Sequence, residues 1–221
     1  MKPIAATLIR LWLAALLAGL STTAFAGAYE DFFAAVRADN ADQVAGLLQR
    51  GLDPNLLEDD RGETGLMIAV RENAVKVFEM LVKTRGVDLD VQARNGDTAL
   101  MIAAFKGNAG MVETLLRNRA AVNKPGWTAL HYGAASGNIK VVQLLLSLNA
   151  EVNARSPNNT TPMMMAARGG HIQTVKLLLD SGADPSLKND VGMSALDFAE
   201  QGGFKDIVEG LTFQLKKAGK I

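Results

Sequence analysis

Thr64-Gly65-Leu66-Met67, Thr98-Ala99-Leu100-Met101, Thr128-Ala129-Leu130-His131, Thr161-Pro162-Met163-Met164 and Ser194-Ala195-Leu196-Asp197 are one phrase written five times, at intervals of 34, 30, 33 and 33 residues. A fixed period in this range marks a chain of stacked supersecondary units, because no single unit of that length buries its own apolar face. Each phrase opens on a hydroxyl that can accept from an orphaned N–H in the first turn of a helix, so each predicts a helix start. Leu66, Leu100, Leu130, Met163 and Leu196 follow two residues later, and Ala69, Ala103, Gly133, Ala166 and Ala199 come three after those. That spacing puts both on one helical face, where a small residue lets the next unit come close.

A second helix is expected in each unit, with Met80-Leu81-Val82, Thr114-Leu115-Leu116, Leu144-Leu145-Leu146 and Leu177-Leu178-Leu179 as its buried row. Gly51, Gly86, Asn149 and Gly182 mark its end, being residues that tolerate positive φ. Arg119 stands at the equivalent place and is an uncomfortable choice there. Polar connectors such as Asn153–Asn159 follow. The pattern divides the chain into six units: an N-terminal cap at 29–61, repeats at 62–95, 96–125, 126–158 and 159–191, and a C-terminal cap at 192–221. The last unit replaces the apolar row by Gly210-Leu211-Thr212 and ends in Lys216, Lys217 and Lys220, the polar outer face expected of a solenoid end.

The phrase and its period resemble the Thr-Pro-Leu-His-x-Ala head of the ankyrin repeat, and the resemblance covers nearly everything after residue 26. It implies an all-α repeat solenoid of helix-turn-helix units joined by short β-hairpin fingers. The function class it implies is a concave surface that grips another macromolecule. It also gives His131 and His171 structural positions. His131 is the fourth residue of its phrase, in a local hydrogen-bond network, and His171 opens a second helix.

Residues 1–26 stand apart from the repeats. Lys2 and Arg10 precede an apolar run from Leu11 to Leu20, and Ala24-Phe25-Ala26 offers small residues where a signal peptidase reads. The run, broken by Ser21-Thr22-Thr23, falls short of the roughly 20 residues that span a bilayer. A secretory leader cleaved after Ala26 is expected. Cysteine is absent, which fits an oxidising compartment and leaves no disulfide frame. The arrangement resembles small exported ankyrin proteins of Gram-negative bacteria, so the expected location is the periplasm.

Composition and spacing argue against several functions. Without Lys2 and Arg10 the chain carries 21 basic and 23 acidic residues, no electrostatic footprint for nucleic acid. Nine acids and three bases lie between Gly27 and Glu63, an acidic end that either solvates the cap or steers a basic partner. His131 and His171 are the only histidines, too few for a hydrolytic triad beside a nucleophile and short of a third zinc ligand. The paired glycines at 169–170 and 202–203 lack the strand-to-helix setting of a nucleotide loop. No catalytic residue, cofactor or metal site is therefore expected. Met67, Met101 and Met164 take the histidine position of their phrases; thioethers suit Cu(I), but methionine also fills core gaps, and repeats about 10 Å apart keep neighbouring members from sharing an ion.

The departure from the period carries the functional information. Asn123 to Thr128 is five positions where Asn153 to Thr161 is eight, so the finger Lys124-Pro125-Gly126-Trp127 has lost three residues and should leave a notch. The ankyrin resemblance places Trp127, Phe105 and Lys106 on the concave side, together with the finger and helix-end residues Arg94, Asn95, Pro157, Asn158 and Arg168. Two aromatics side by side resemble an interface anchor; alternatively Trp127 folds over the shortened finger and plugs it. The function these features support is a periplasmic scaffold for one protein partner; the resemblance to exported ankyrin proteins admits an envelope or oxidative-defence enzyme as that partner, with a toxin-neutralising immunity protein as the alternative, and methionine-based copper binding is a minor reading. Neither nucleic acid nor, after cleavage, a membrane is an expected partner, and the free chain should be monomeric. Intact-mass analysis of protein from the periplasmic fraction should give a chain starting at Gly27; a membrane-sedimenting chain retaining residues 1–26 would turn the solenoid into a tethered one.

Overall fold

A computed structural model describes residues 27–221, so the leader reading falls on residues outside those described. The described part forms helices in six pairs. These are α1 (27–37) with α2 (Ala41–Gln49), α3 (Gly65–Glu72) with α4 (Val75–Leu81), and α5 (Ala99–Phe105) with α6 (Ala109–Arg117). Then come α7 (Ala129–Ser136) with α8 (Ile139–Ser147), α9 (Pro162–Arg168) with α10 (Ile172–Asp180), and α11 (Ala195–Gln201) with α12 (Lys205–Lys217). From α3 to α11 each odd helix packs on the next odd one, while α6, α8, α10 and α12 pack in succession behind them, giving two layers.

The phrases start the odd helices as expected. Thr64, Thr98, Thr161 and Ser194 accept from the N–H three residues on, at 3.3–3.4 Å. Ala69, Ala103, Ala166 and Ala199 are fully buried between layers, each 0% exposed. Two phrase positions show why a glycine stands there. At Gly65 a methyl group would lie 2.8 Å from the Phe32 ring, which reaches in from α1, so the first phrase cannot carry the alanine that three of the others have. At Gly133 it would lie 3.1 Å from Val141 of α8.

Three expectations need correction. The apolar triplets of the even helices are not buried throughout: Leu145 and Leu178 are buried, while their neighbours Leu144, Leu146, Leu177 and Leu179 are only partly so. Three consecutive helical residues sweep about 200°, more than the core-facing stripe. The C-terminal unit does keep an apolar row, Ile207, Leu211 and Leu215, spaced by four along α12, and its change lies in the exposed Phe213 and lysines beside it. The fingers form no strand among the described residues. Four are tight turns closed by two backbone bonds each: Glu58 N–H to Glu63 O with Gly62 to Glu58, Ala93 to Asp97 with Gly96 to Ala93, Ser156 to Thr160 with Asn159 to Ser156, and Asn189 to Met193 with Gly192 to Asn189, at 2.8–3.1 Å. An isolated antiparallel bridge joins Leu57 and Thr64.

Polar side chains stitch neighbouring units. The Asn55 amide donates to Gly86 O at 2.7 Å and accepts from Asp88 N at 2.8 Å. Asn123 does the same with Asn149 O and Glu151 N, and Asn153 with Gly182 O and Asp184 N. Asp90 takes the equivalent place but makes half the clamp, accepting from Ala121 N at 2.8 Å, because a carboxylate has no N–H to offer the Arg119 carbonyl. Arg119 does adopt the left-handed conformation, φ +70°.

Thr174 on α10 is 0% exposed, and its hydroxyl is the one buried side-chain polar atom among the described residues without a hydrogen-bond partner. Thr174→Val keeps the shape and removes the desolvated group, so the urea midpoint should rise by the equivalent of about 1 kcal/mol with an unchanged slope. A destabilised variant would mean that the hydroxyl is satisfied in solution.

Candidate partner-binding site

Two positions in each odd helix build one face. The fifth residue of each phrase-led run gives Ile68, Ile102, Tyr132, Met165 and Phe198, and the eighth gives Arg71, Phe105, Ala135, Arg168 and Gln201. Around the short finger these positions change from aliphatic to aromatic. Phe105, at the end of α5, is 59% exposed and meets the Tyr132 ring edge-on at 6.0 Å. Trp127 is half-buried, edge-on to His131 at 5.1 Å and to Tyr132 at 6.3 Å, with Lys124 Nζ donating to its carbonyl. The indole thus packs on α7 and still lines open space. Tyr132 donates its hydroxyl to Asp97 Oδ1 at 2.5 Å, and burial together with that bond raises its pKa above the usual phenol value.

Two depressions flank the indole. The smaller, about 140 Å³, is apolar and lined by Phe105, Trp127, His131, Tyr132, Ala135 and Met165. The larger, about 510 Å³, runs over α9 and α11 between the fingers; Trp127 and Met165 line it as well. Arg168 is the only charged residue in its wall, among the amides of Asn158, Asn189 and Gln201 and the apolar Met193, Val191 and Phe198. The structure therefore brings together Phe105, Trp127, Asn158 and Arg168. Arg94, Asn95, Lys106 and Pro157 are exposed but line neither depression. Arg94 is occupied in the finger ladder, its guanidinium on Asp60 O and its N–H on Arg61 O. Tyr132, Met165 and Phe198 escape a reading focused on the caps and fingers, although they recur at one offset from each phrase.

The histidines are structural. His131 is 0% exposed. Its Nε2 lies 3.0 Å from Thr160 O, and since a carbonyl only accepts, Nε2 carries the proton. Nδ1 then accepts from the Thr128 N–H at 3.2 Å and the Thr128 hydroxyl at 2.9 Å, closing a capping box. His171 spans units in the same way, Nε2 to Ala135 O at 2.9 Å. Met67, Met101 and Met164, the thioether alternatives at the His131 position, are each 1% exposed within the core. Among the described residues no three His, Asp or Glu side chains are grouped as metal ligands. At the acidic N-terminal end two carboxylates turn inward: Glu58 pairs with Arg37 at 2.6 Å, and Glu63, almost fully buried, takes a two-point grip from Arg71.

A stack of capped helix pairs with tight fingers and one continuous exposed face defines a class of repeat scaffold. A family model described as Ankyrin repeats (3 copies) matches residues 32–125, 66–156 and 148–218, and the chain belongs to this family. Human neurogenic locus notch homolog protein 1 is 34% identical over 135 residues, 60% of this chain. The Xenopus tropicalis counterpart is 35% identical over the same length, and human neurogenic locus notch homolog protein 2 is 38% identical over 101 residues, 44% of the chain. The matched segments span only 4–5% of those relatives' own lengths. Ankyrin repeats imply protein–protein interaction.

Burial lowers the His131 pKa from 6.5 to about 4. The folded state therefore favours the neutral ring, whose contribution is complete above pH 6.5 and is lost as pH falls toward 4, a loss of about 3 kcal/mol once both states are protonated. Thermal unfolding should show a stability slope between pH 6.5 and 4 that His131→Gln flattens. An equally steep slope in the variant would assign the titration elsewhere.

Proposed function

We propose that this chain is a non-enzymatic scaffold exported to the periplasm, where it holds one protein partner by its concave face around the short finger. The observation that carries the site is Phe105: a large aromatic, more than half exposed, beside a half-buried tryptophan and an unfilled apolar cleft. Single exposed apolar residues are common, but an aromatic group rimmed by polar side chains next to a pocket has the form of an interface anchor. The export part rests on the Lys2 and Arg10 flank, the apolar run and Ala24-Phe25-Ala26. No helix among the described residues is long and apolar enough to cross a membrane. By its resemblance to exported ankyrin proteins, the partner is an envelope or oxidative-defence enzyme or, alternatively, a secreted toxin.

The test uses mature protein as bait in periplasmic extract, with binding of the retained partner then titrated. Phe105→Ala should weaken the complex by about 2 kcal/mol, the hot-spot scale, with an unchanged melting temperature. Trp127→Ala should lower both affinity and melting temperature, since the indole also packs on His131 and Tyr132. Retention undiminished in both variants would move the binding surface away from the short finger.

A further inference from the structure

The fingers on either side of the notch hold the second half of the argument. Where two full-length fingers are neighbours, a backbone bond joins them: Arg94 N–H to Arg61 O at 3.0 Å, and Asp190 N–H to Asn158 O at 3.1 Å. In each case the carbonyl two residues before the end of one turn accepts from the second residue of the next. The corresponding carbonyl before the notch is Asn95 O, which receives no backbone bond among the described residues. The corresponding donor after the notch is residue 157, a proline without an N–H, which lies instead close over Gly126. The finger ladder is thus interrupted on both sides of Lys124–Trp127, leaving an open lane beside the two depressions.

The two depressions beside this lane are lined by one charged side chain, Arg168. Arg168 faces the larger depression and has no acidic side chain within salt-bridge distance among the described residues, in contrast to Arg37 and Arg71 at the N-terminal end. Carboxylates on the flanking fingers are taken up: Asp97 accepts from Tyr132 at 2.5 Å and from the Asn95 amide at 2.7 Å, and Asp190 from the Asn159 amide at 2.5 Å. Lys124 adds positive charge at the Trp127 carbonyl, and Lys106 follows Phe105 in the chain. A cation surrounded by neutral amides and apolar side chains is a site for a carboxylate on an otherwise uncharged chain.

Building on the concave-face reading above, we propose that the notch is a channel for an extended acidic segment of the partner protein. One apolar side chain of the segment fills the cleft between Phe105, Tyr132 and Met165, and a carboxylate pairs with Arg168. The two depressions belong to successive repeats, roughly 10 Å apart by helix-packing distances. An extended chain rises about 3.3 Å per residue, so the carboxylate stands about three residues from the apolar anchor. The segment's backbone N–H supplies the Asn95 carbonyl with the bond that the missing finger residues would have made.

The probe is a displayed library of random dodecapeptides, selected on the mature protein, with the enriched peptides then resynthesised and titrated. Enriched sequences should pair a large apolar residue with Asp or Glu about three positions away. Arg168→Glu should weaken them by at least about tenfold. Arg168→Lys should retain most of the affinity, Phe105→Ala should also weaken binding, and Lys176→Glu on α10 should change nothing. Enrichment of peptides without a carboxylate, or affinity indifferent to Arg168→Glu, overturns the acidic segment while leaving the concave-face reading to stand on Phe105. Failure to enrich any sequence overturns linear-segment recognition, and the concave-face reading is then judged by the Phe105→Ala titration of the partner from periplasmic extract. Equal weakening by Lys176→Glu reduces the effect to net charge and overturns the channel as well.

Discussion

Everything in this molecule depends on how closely one odd helix lies on the next. A helix of seven or eight residues is too short to persist alone, so each must bury most of its surface between neighbours. Within each unit a small buried residue, Ala69, Ala103, Gly133, Ala166 or Ala199, faces the second layer; at Gly133 a methyl group would meet Val141, Val142 and Leu145 of α8. Gly65 shows the same constraint from the N-terminal side, where the preceding helix presents Phe32 rather than a repeat residue. The cap residue does not phrase its own helix start; it shapes its neighbour's.

Apolar stacking sets the distance between units, and polar clamps set their register. The asparagines at 55, 123 and 153 each satisfy two backbone groups of the following unit, groups that short helices and tight turns leave unpaired. Where one clamp is halved, at Asp90, the backbone beyond it carries Arg119 at positive φ, so two local compromises fall on one junction. This is the unit whose finger is also short. Local irregularity therefore gathers at one place in the stack, the pattern expected when a departure from the local rules serves binding rather than folding.

The repeat fold was legible because its determinants are local and recur: a hydroxyl at each cap, a small residue five positions later and left-handed residues after the second helix. The shortened finger was legible for the same reason, as arithmetic on the period. The lining of the face was less so. Tyr132, Met165 and Phe198 occupy one offset, but ordinary apolar residues at that offset read as core until the helices are placed. The apolar triplets misled because composition does not reveal which of three consecutive leucines meets the inner layer. The bonds that span neighbouring units, Tyr132 to Asp97 or His171 to Ala135, lie 35 and 36 residues apart in sequence and leave no trace in spacing alone.

The short finger lies between the third and fourth of six helix pairs, and its position explains how the interruption is tolerated. In a solenoid each unit contacts only its neighbours, so a junction lacking its finger bond must be held by what remains there. At this junction the contacts are side chains: Tyr132 to Asp97, the Ser136 hydroxyl to Ala104 O at 3.1 Å, and the Asn138 amide to Gly107 O at 2.8 Å. The Ser136 and Asn138 bonds lie at the helices and the turn between them, while Tyr132 reaches the end of the preceding finger at Asp97. These side chains hold the third and fourth pairs together, and Trp127 marks the boundary, with His131 beneath it and open space to either side. Phe105 lies beyond that boundary. Its contact with Tyr132 leaves 59% of its surface exposed, so its removal costs the stack little.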